Sequence, residues 1–221
     1  MIKIIDHVYQ VGGSGLTAAA DAAVYLIVID TDAALIDAGT GRGHDALVRN
    51  IDACLPSQAR LTHLFLTHSH FDHTGGAARL REHYQCTIVA HAHEARFLET
   101  GDSRVTAAAW YHAELSPFTV DYAITGSQET FHIGHQALQA LHCPGHSPGS
   151  VVYLMEIGGK RVLFGQDIHG PLHPELLSNR DDYITSLTML LGLEADILCE
   201  GHFGVIRGRA NVQAFIQSYL P

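Results

Sequence analysis

Short apolar runs separated by glycine, proline and polar residues recur along the whole chain. In the first half, those with the length and β-branched content of strands are residues 2–5, 7–10, 23–30, 33–37, 61–66 and 86–91. Residues 44–55 and 77–83 instead place apolar side chains at helical spacing, and Pro56 stops the first of these two segments. This succession of strands and helices predicts an α/β protein.

The second half of the chain continues the succession of predicted strands and helices to its last residues. Strands are predicted at 129–133, 137–143, 151–157, 160–164 and 196–199, and helices at 181–193 and 210–220. Residues 92–128 are less regular and carry aromatic side chains, among them Trp110 and Tyr111. We interpret this excursion either as a lid or substrate wall, or as a helix whose aromatic residues pack on the core.

Length and composition are those of an ordinary globular chain. The 221 residues, 47% hydrophobic and 16% charged, suffice for one core. Thirteen basic and 23 acidic residues give a formal net charge of −10. A protein that grips nucleic acid normally shows a basic face, so this balance argues against such a partner.

The N-terminus and the cysteines bear on the compartment. Residues 1–6 lack the apolar segment of a secretory signal, and no run approaches the roughly 20 apolar residues that span a bilayer. Cys54, Cys86, Cys143 and Cys199 are widely scattered, as expected for reduced thiols. We therefore expect a cytoplasmic protein that does not engage a membrane.

The densest chemistry lies in residues 67–76, directly after the predicted strand 61–66. Within six residues this stretch holds His68, His70, Asp72 and His73. Imidazole and carboxylate ligands suit zinc, iron or manganese, whereas calcium and magnesium prefer oxygen ligands. Alternate residues of a strand share a face, so His68 and His70 are expected on one side, with Asp72 and His73 starting the next helix.

A histidine or aspartate beside glycine recurs at the ends of other predicted strands, namely Asp37, His146, Asp167 and His202. Ligand sites of α/β proteins lie at the carboxyl ends of strands, so these residues predict one composite site. Asp37 fits either a carboxylate that orients a metal-bound histidine or a plain strand-to-helix turn. Because Cys143 and Cys199 precede His146 and His202 by three residues, a structural zinc site of two Cys-x-x-His units is an alternative.

Together these residues resemble the five ordered motifs of the metallo-β-lactamase superfamily: Asp37, His68-x-His70-x-Asp72-His73, His146, Asp167 and His202. The resemblance covers essentially the whole chain and implies a single domain, residues 1–221, with two pseudo-equivalent halves of about 1–125 and 126–221. The fold it implies is a four-layer αβ/βα sandwich with the metals at one edge of the two sheets. It further implies that His68, His70 and His146 bind one divalent metal, that Asp72, His73 and His202 bind a second, and that Asp167 bridges both.

Within the superfamily, Pro144-Gly145-His146 is similar to the third motif of glyoxalase II, acyl-homoserine-lactone lactonases and persulfide dioxygenases. β-Lactamases of this fold generally lack an aspartate at the position of Asp167. The glutathione-gripping extension of glyoxalase II is not found after His202, which favours a thioester other than a glutathione conjugate. Lactonases carry a tyrosine where this chain has Gly170. His169 is either a partial substitute as proton donor or oxyanion partner, or a residue that supports the metal ligands from behind, or a plain surface residue.

The motifs predict a dinuclear, glyoxalase II-like metallohydrolase that holds zinc, with iron or manganese as alternative metals. A metal-bridging hydroxide would attack a small thioester, ester or lactone. The candidate catalytic residues are Asp72, Asp167 and His169. The alternative function is an iron-dependent persulfide dioxygenase, and the third is a non-catalytic domain stabilised by metal.

We expect the partner to be a small-molecule substrate. Its specificity is expected to reside in residues 92–128 and 168–180, which lack a recognisable phosphate or glutathione cradle. The aromatic residues of the first of these segments are also compatible with a homodimer.

Overall fold

Two β-sheets lie face to face in the computed structural model, which describes residues 1–165 and 167–221. In spatial order the first sheet contains β1 (Ile2–Ile5), β2 (Val8–Gly12), β3 (Val24–Ile29), β4 (Asp32–Ile36), β5 (Arg60–Phe65), β6 (Thr87–His91) and β7 (Tyr122–Ile124). The pairings from β1 to β4 are antiparallel, and those from β4 to β7 are parallel.

The second sheet is built from the later part of the chain. Its spatial order is β13 (Val205–Arg207), β12 (Ile197–Cys199), β11 (Lys160–Phe164), β10 (Val151–Ile157), β9 (Gln136–His142) and β8 (Gln128–Ile133). Only the β11–β12 pair is parallel among these described strands. A parallel pair needs a long crossover connection, and the segment between β11 and β12 supplies it with a helix.

Helices cover the outer faces of both sheets. They are α1 (His44–Asp52), α2 (Phe71–Thr74), α3 (Ala77–Tyr84), α4 (Ala92–Thr100), α5 (Arg180–Gly192) and α6 (Arg209–Gln217), with short 3-10 helices at Ala108–Tyr111 and Pro174–Leu176. Within the described parts of the chain, none of these helices has the length and apolar character needed to cross a membrane.

Three apolar clusters hold these layers together. The central one fills the space between the sheets, where the Phe65 and Tyr153 rings lie 5.2 Å apart and those of Tyr25 and Phe164 lie 5.8 Å apart. The other two join the first sheet to α1, α3 and α4, and the second sheet to α5 and α6. Helix, sheet, sheet and helix thus form four layers, which confirms the predicted αβ/βα sandwich.

Three elements differ from the sequence prediction, and one of them is β7, a three-residue strand within residues 92–128. Residues 92–128, predicted to be irregular, begin with α4, which ends at Gly101 in the left-handed conformation (φ 67°). Such a residue is a common helix terminator because glycine adopts positive φ without a Cβ clash. The strand β13 also follows His202 unpredicted, since three residues are too few to show a period.

Candidate metal centre

The seven predicted ligands come together at one edge of the sandwich, in loops that follow strands. His68 and His70 follow β5, α2 carries Asp72 and His73, and His146, Asp167 and His202 follow β9, β11 and β12. Six of these residues are buried, whereas the side chain of His202 is 33% exposed. The strands thus carry residues that are far apart in sequence into one site.

His68, His70 and His146 form the first cluster. The centroid of the His68 ring lies 4.4 Å from that of His70 and 4.8 Å from that of His146. Asp167 faces this cluster, with its Oδ2 3.5 Å from His146 Nε2 and 4.0 Å from His68 Nε2. The ligand atoms of all four residues lie within 4.8 Å of one another, which is close enough for a single ion to reach each of them.

Asp72, His73 and His202 form the second cluster. His202 Nε2 lies 3.1 Å from Asp72 Oδ2 and 3.4 Å from Asp167 Oδ1. His73 Nε2 lies 3.1 Å from the same Asp167 oxygen. One oxygen of Asp167 therefore faces each cluster, which is the arrangement expected of a bridging carboxylate.

The donor set fits divalent metal ions. Within the described parts of the chain, Nε2 of His68 and of His70 is buried without a hydrogen-bond partner. A buried polar atom left unsatisfied is costly, and such atoms call for a specific reason. Histidine nitrogens and carboxylate oxygens converging in two groups supply that reason, since they are the ligands that zinc, iron and manganese prefer.

The histidines of the first cluster are kept neutral. Burial, together with the neighbouring His146, lowers the pKa of His70 to about 3. Burial likewise lowers the pKa of His68 and of His146 below the ordinary range. Because a metal binds the neutral imidazole, this cluster is ready to accept an ion without first losing protons.

The histidines of the second cluster behave in the opposite way. Burial opposes a charge on His202, but its hydrogen bonds to Asp167 and Asp72 raise its pKa to about 10. For His73, burial is outweighed by the carboxylates of Asp167, Asp37 and Asp72, which raise its pKa well above the ordinary value. In the absence of metal, these two imidazoles are therefore paired cations.

Asp37 lies behind the second cluster. Its Oδ2 is 2.7 Å from His73 Nδ1, and its Oδ1 accepts a hydrogen bond of 2.8 Å from the Thr67 backbone N–H. Of the two interpretations left open by the sequence, the contact fits the carboxylate that orients a ligand histidine. Such a partner fixes the ring so that its other nitrogen faces the ion.

Glu94 is a residue of the site that the sequence analysis missed. Although fully buried, this carboxylate accepts hydrogen bonds from the Ser69 backbone N–H at 2.8 Å, the Ser147 hydroxyl at 2.9 Å and the Gly149 backbone N–H at 2.6 Å. Glu94 thereby ties the loop of His68 and His70 to the loop of His146. Its place on α4, in a segment predicted to be irregular, hid this role.

A cavity of about 240 Å³ opens over the two clusters. Its walls come from the two segments expected to govern specificity, and they include Ala107, Trp110, Tyr111, Pro171 and Leu176. Trp110 Nε1 donates a hydrogen bond of 3.4 Å to Glu175, and its ring meets that of His173 edge-on at 5.2 Å. The two segments thus meet across the mouth of the cavity.

Tyr111 lines this cavity, and a hydrogen bond from Arg42 holds its backbone in place. Its carbonyl accepts a hydrogen bond of 2.6 Å from Arg42, and its ring packs on Phe71 with centroids 5.7 Å apart. Burial and the nearby Asp72 carboxylate together raise the pKa of Tyr111 above its ordinary value. The 3-10 helix that contains Tyr111 is flanked by Ala107 and His112, both in the left-handed conformation. No pattern in the sequence predicts this feature.

Of the remaining residues considered from the sequence, His169 lies at the cavity, whereas Cys143 and Cys199 lie in the core. His169 lines the cavity, with its Nδ1 2.8 Å from the buried Glu200, a second carboxylate that the sequence analysis missed. Cys143 and Cys199 lie in the apolar core, where burial raises the pKa of the Cys143 thiol to about 12. In the described parts of the chain, the groups able to hold a metal contain no cysteine, so His146 and His202 do not form the alternative Cys-x-x-His site.

Comparison with known proteins agrees with this geometry. Residues 19–202 match the model of the metallo-β-lactamase superfamily. A probable metallo-hydrolase of Bacillus subtilis (strain 168), YqgX, is 30% identical over 192 residues, which cover 80% of this chain and 87% of that protein. A hydroxyacylglutathione hydrolase of Halorhodospira halophila is 33% identical over 99 residues, covering 45% of this chain and 31% of that protein.

Among solved structures, a metallo-β-lactamase of Cronobacter sakazakii superposes with a TM-score of 0.79 over 99% of this chain and 92% of that one. At 22% identity, this likeness shows the shared fold and nothing finer. The match of the family model, the relationship to YqgX and the two ligand clusters lead to the same conclusion. The chain belongs to the metallo-β-lactamase superfamily, as a member of its metallo-hydrolases.

Proposed function

We propose that the protein is a dinuclear metallohydrolase, glyoxalase II-like in its chemistry, that cleaves a small thioester, with esters and lactones as related substrates. The observation that carries this proposal is the position of Asp167, which turns one carboxylate oxygen to each ligand cluster. Two ions held by His68, His70 and His146 and by Asp72, His73 and His202 would share it. Zinc is the expected metal, with iron or manganese as alternatives.

Divalent ions at these clusters would supply an activated water and polarise the carbonyl of a bound substrate. Side chains of the protein hold the metal ligands in position. Asp37 fixes the ring of His73, and Glu94 ties together the two loops that carry the first cluster. Asp72 and Asp167 are the proposed catalytic carboxylates because they face the reacting centre as well as the ligand nitrogens.

The walls of the cavity favour an uncharged acyl group. Ala107, Trp110, Tyr111, Pro171 and Leu176 are apolar or aromatic, and none of the lining residues that the structure describes is a lysine or arginine. A volume of about 240 Å³ suits a small acyl group with its leaving group directed toward the mouth. The name of the Halorhodospira relative, a hydroxyacylglutathione hydrolase, supports a thioester as the substrate class.

The test begins with the metal content of protein purified without added metal. We expect about two divalent ions per chain, and a content well below one would contradict the proposal. The loaded protein is then given matched thioesters, esters, lactones and phosphoesters, with turnover expected to be fastest on an apolar acyl thioester.

The alternative function is examined on the same preparation. A persulfide dioxygenase would hold about one iron per chain and consume oxygen with glutathione persulfide in an oxygen-electrode assay. Oxygen uptake without hydrolysis on the panel would replace the hydrolase proposal. A folded, metal-loaded protein that turns over neither kind of substrate would support the non-catalytic alternative.

A further inference from the structure

Glu200 is a fully buried carboxylate that none of the steps above uses. Its Oε2 accepts hydrogen bonds from the backbone N–H groups of His202 at 2.7 Å and Phe203 at 2.9 Å. Its Oε1 lies 2.8 Å from Nδ1 of His169. A single carboxylate therefore connects the turn that carries a ligand of the second cluster with a histidine on the wall of the cavity.

Asp167, His169 and Glu200 are close enough together to be considered as a further metal site. Glu200 argues against this, because both of its oxygens already accept hydrogen bonds within the protein. An ion bound there would have to displace these bonds inside the protein. The arrangement is better explained as a carboxylate that orients a histidine.

We propose that Glu200 is a positioning residue that keeps the proton of the His169 imidazole on Nδ1, so that Nε2 meets the cavity as a hydrogen-bond acceptor. Two N–H groups donate to Oε2, which fits an ionised carboxylate, and an ionised carboxylate can only accept. The hydrogen bond to Oε1 then comes from Nδ1–H. In a neutral imidazole the other nitrogen carries no proton.

This proposal changes the role expected of His169. One role that the sequence allows for His169 is that of a proton donor or oxyanion partner, whereas a ring held in this tautomer accepts a hydrogen bond from water or from a substrate hydroxyl. On the proposed hydrolase function, the natural donor is the attacking water. Its hydrogen bond to Nε2 strengthens as the water oxygen bonds to the carbonyl carbon, so the contribution falls on kcat more than on KM.

Glu200→Gln tests the assignment at the level of single atoms. The amide oxygen can still accept from the His202 and Phe203 N–H groups, but the amide NH₂ then faces Nδ1 of His169. Since NH₂ only donates, Nδ1 must accept and the ring proton must move to Nε2. The variant therefore reverses the tautomer while it keeps the shape of the site.

The primary measurement is ¹⁵N NMR of the zinc-loaded, full-length protein with labelled histidines, in which His169→Gln identifies the His169 signals by their loss. We expect Nδ1 protonation in the native protein and Nε2 protonation in Glu200→Gln. The kcat of the variant should fall by about a hundredfold, with KM changed less than about threefold and the zinc content retained.

Glu94→Gln is the matched control for this measurement. It alters an equally buried glutamate that bonds only backbone N–H groups and a serine hydroxyl, so it should leave the His169 tautomer unchanged. A shift of the His169 signals in both variants would show general loosening of the site and would overturn the specific role of Glu200.

The native spectrum alone can refute the proposal, even if Glu200→Gln does not fold. A proton on Nε2 of His169 in the native protein overturns it, as does a Glu200→Gln variant with unchanged tautomer and kcat. If the tautomer reverses as expected but the native protein hydrolyses nothing on the panel, the proposed function fails and the orienting role of Glu200 stands.

Discussion

The two ligand clusters share Asp167 and lie side by side, yet their histidines carry opposite charge before metal binds. In the first cluster, imidazoles surround imidazoles in a buried setting, and the pKa of His70 falls to about 3. In the second, carboxylates adjoin each imidazole, and the pKa of His202 rises to about 10. The ligand type is the same, and the neighbours decide the protonation state.

The difference has a consequence for loading. An ion entering the first cluster finds neutral ligands, whereas an ion entering the second must displace protons from His73 and His202. The second cluster also lies nearer to solvent, through His202. We therefore expect the first cluster to fill at lower pH and to hold its ion more firmly.

Asp167→Asn should have the largest effect, because it removes the carboxylate common to both clusters. Loss of one partner from a buried charge network costs roughly 3–5 kcal/mol, so turnover should fall on the order of a thousandfold. Elemental analysis should show loss of the second metal. A variant with full activity and both metals would show that Asp167 bridges nothing.

The pH dependence of metal affinity should separate the two clusters directly. Below the His202 pKa of about 10, binding at the second cluster releases up to two protons, and its affinity should rise by up to about a hundredfold per pH unit. The first cluster should bind with nearly constant affinity between about pH 6.5 and 8.5, since the pKa of His70 is about 3. Zinc competition titrations across this range measure the affinity of both clusters. If the two affinities changed with pH in the same way, the predicted difference between the clusters would be refuted.

Asp37→Asn should weaken the second cluster more than the first, which Asp37 reaches only through the Thr67 hydroxyl and its contact with His68 Nδ1. The substitution removes the charged partner of His73, and the loss of such a partner typically costs 10–100-fold in metal affinity. Asp21→Asn is the matched control, because this buried carboxylate bonds Thr40 and no ligand histidine. Equal weakening of both clusters would mean that Asp37 supports the fold and not the ring of His73.

Tyr111→Phe should have the smallest effect. It removes the hydroxyl whose pKa the Asp72 carboxylate raises, an interaction worth roughly 1–2 kcal/mol, and should weaken metal binding at the second cluster by about tenfold. Tyr84→Phe removes a comparable hydroxyl that bonds Asp52 on the surface and should change neither affinity. If the substitution weakened metal binding at the first cluster more than at the second, the Tyr111 hydroxyl would act on the first cluster and not on Asp72.

The ligands could be predicted from the sequence because they follow short apolar strands, and because His146 and His202 lie directly beside glycine. The strand fixes the direction of the chain, and the loop chemistry then identifies the residue type, as at His146 and Asp167. The layer order followed from the resemblance of these motifs to a known superfamily. Neither step required knowledge of contacts between distant residues.

The supporting carboxylates could not be predicted in this way. Glu94 acts on Ser147 and Gly149, more than fifty residues away, and a single buried glutamate on a helix leaves no periodic signal. Glu200 lies beside His202, but its contact with His169 depends on how two loops fold over each other. Their roles appear only once the packing is known.

The hydrogen bond between Trp110 and Glu175 joins two segments that contribute no metal ligand. Exchange of side chains at this rim can therefore widen or narrow the entrance while the ions and their cage are left alone. We therefore expect substitutions at Trp110 or Glu175 to change substrate preference while the metal content is retained.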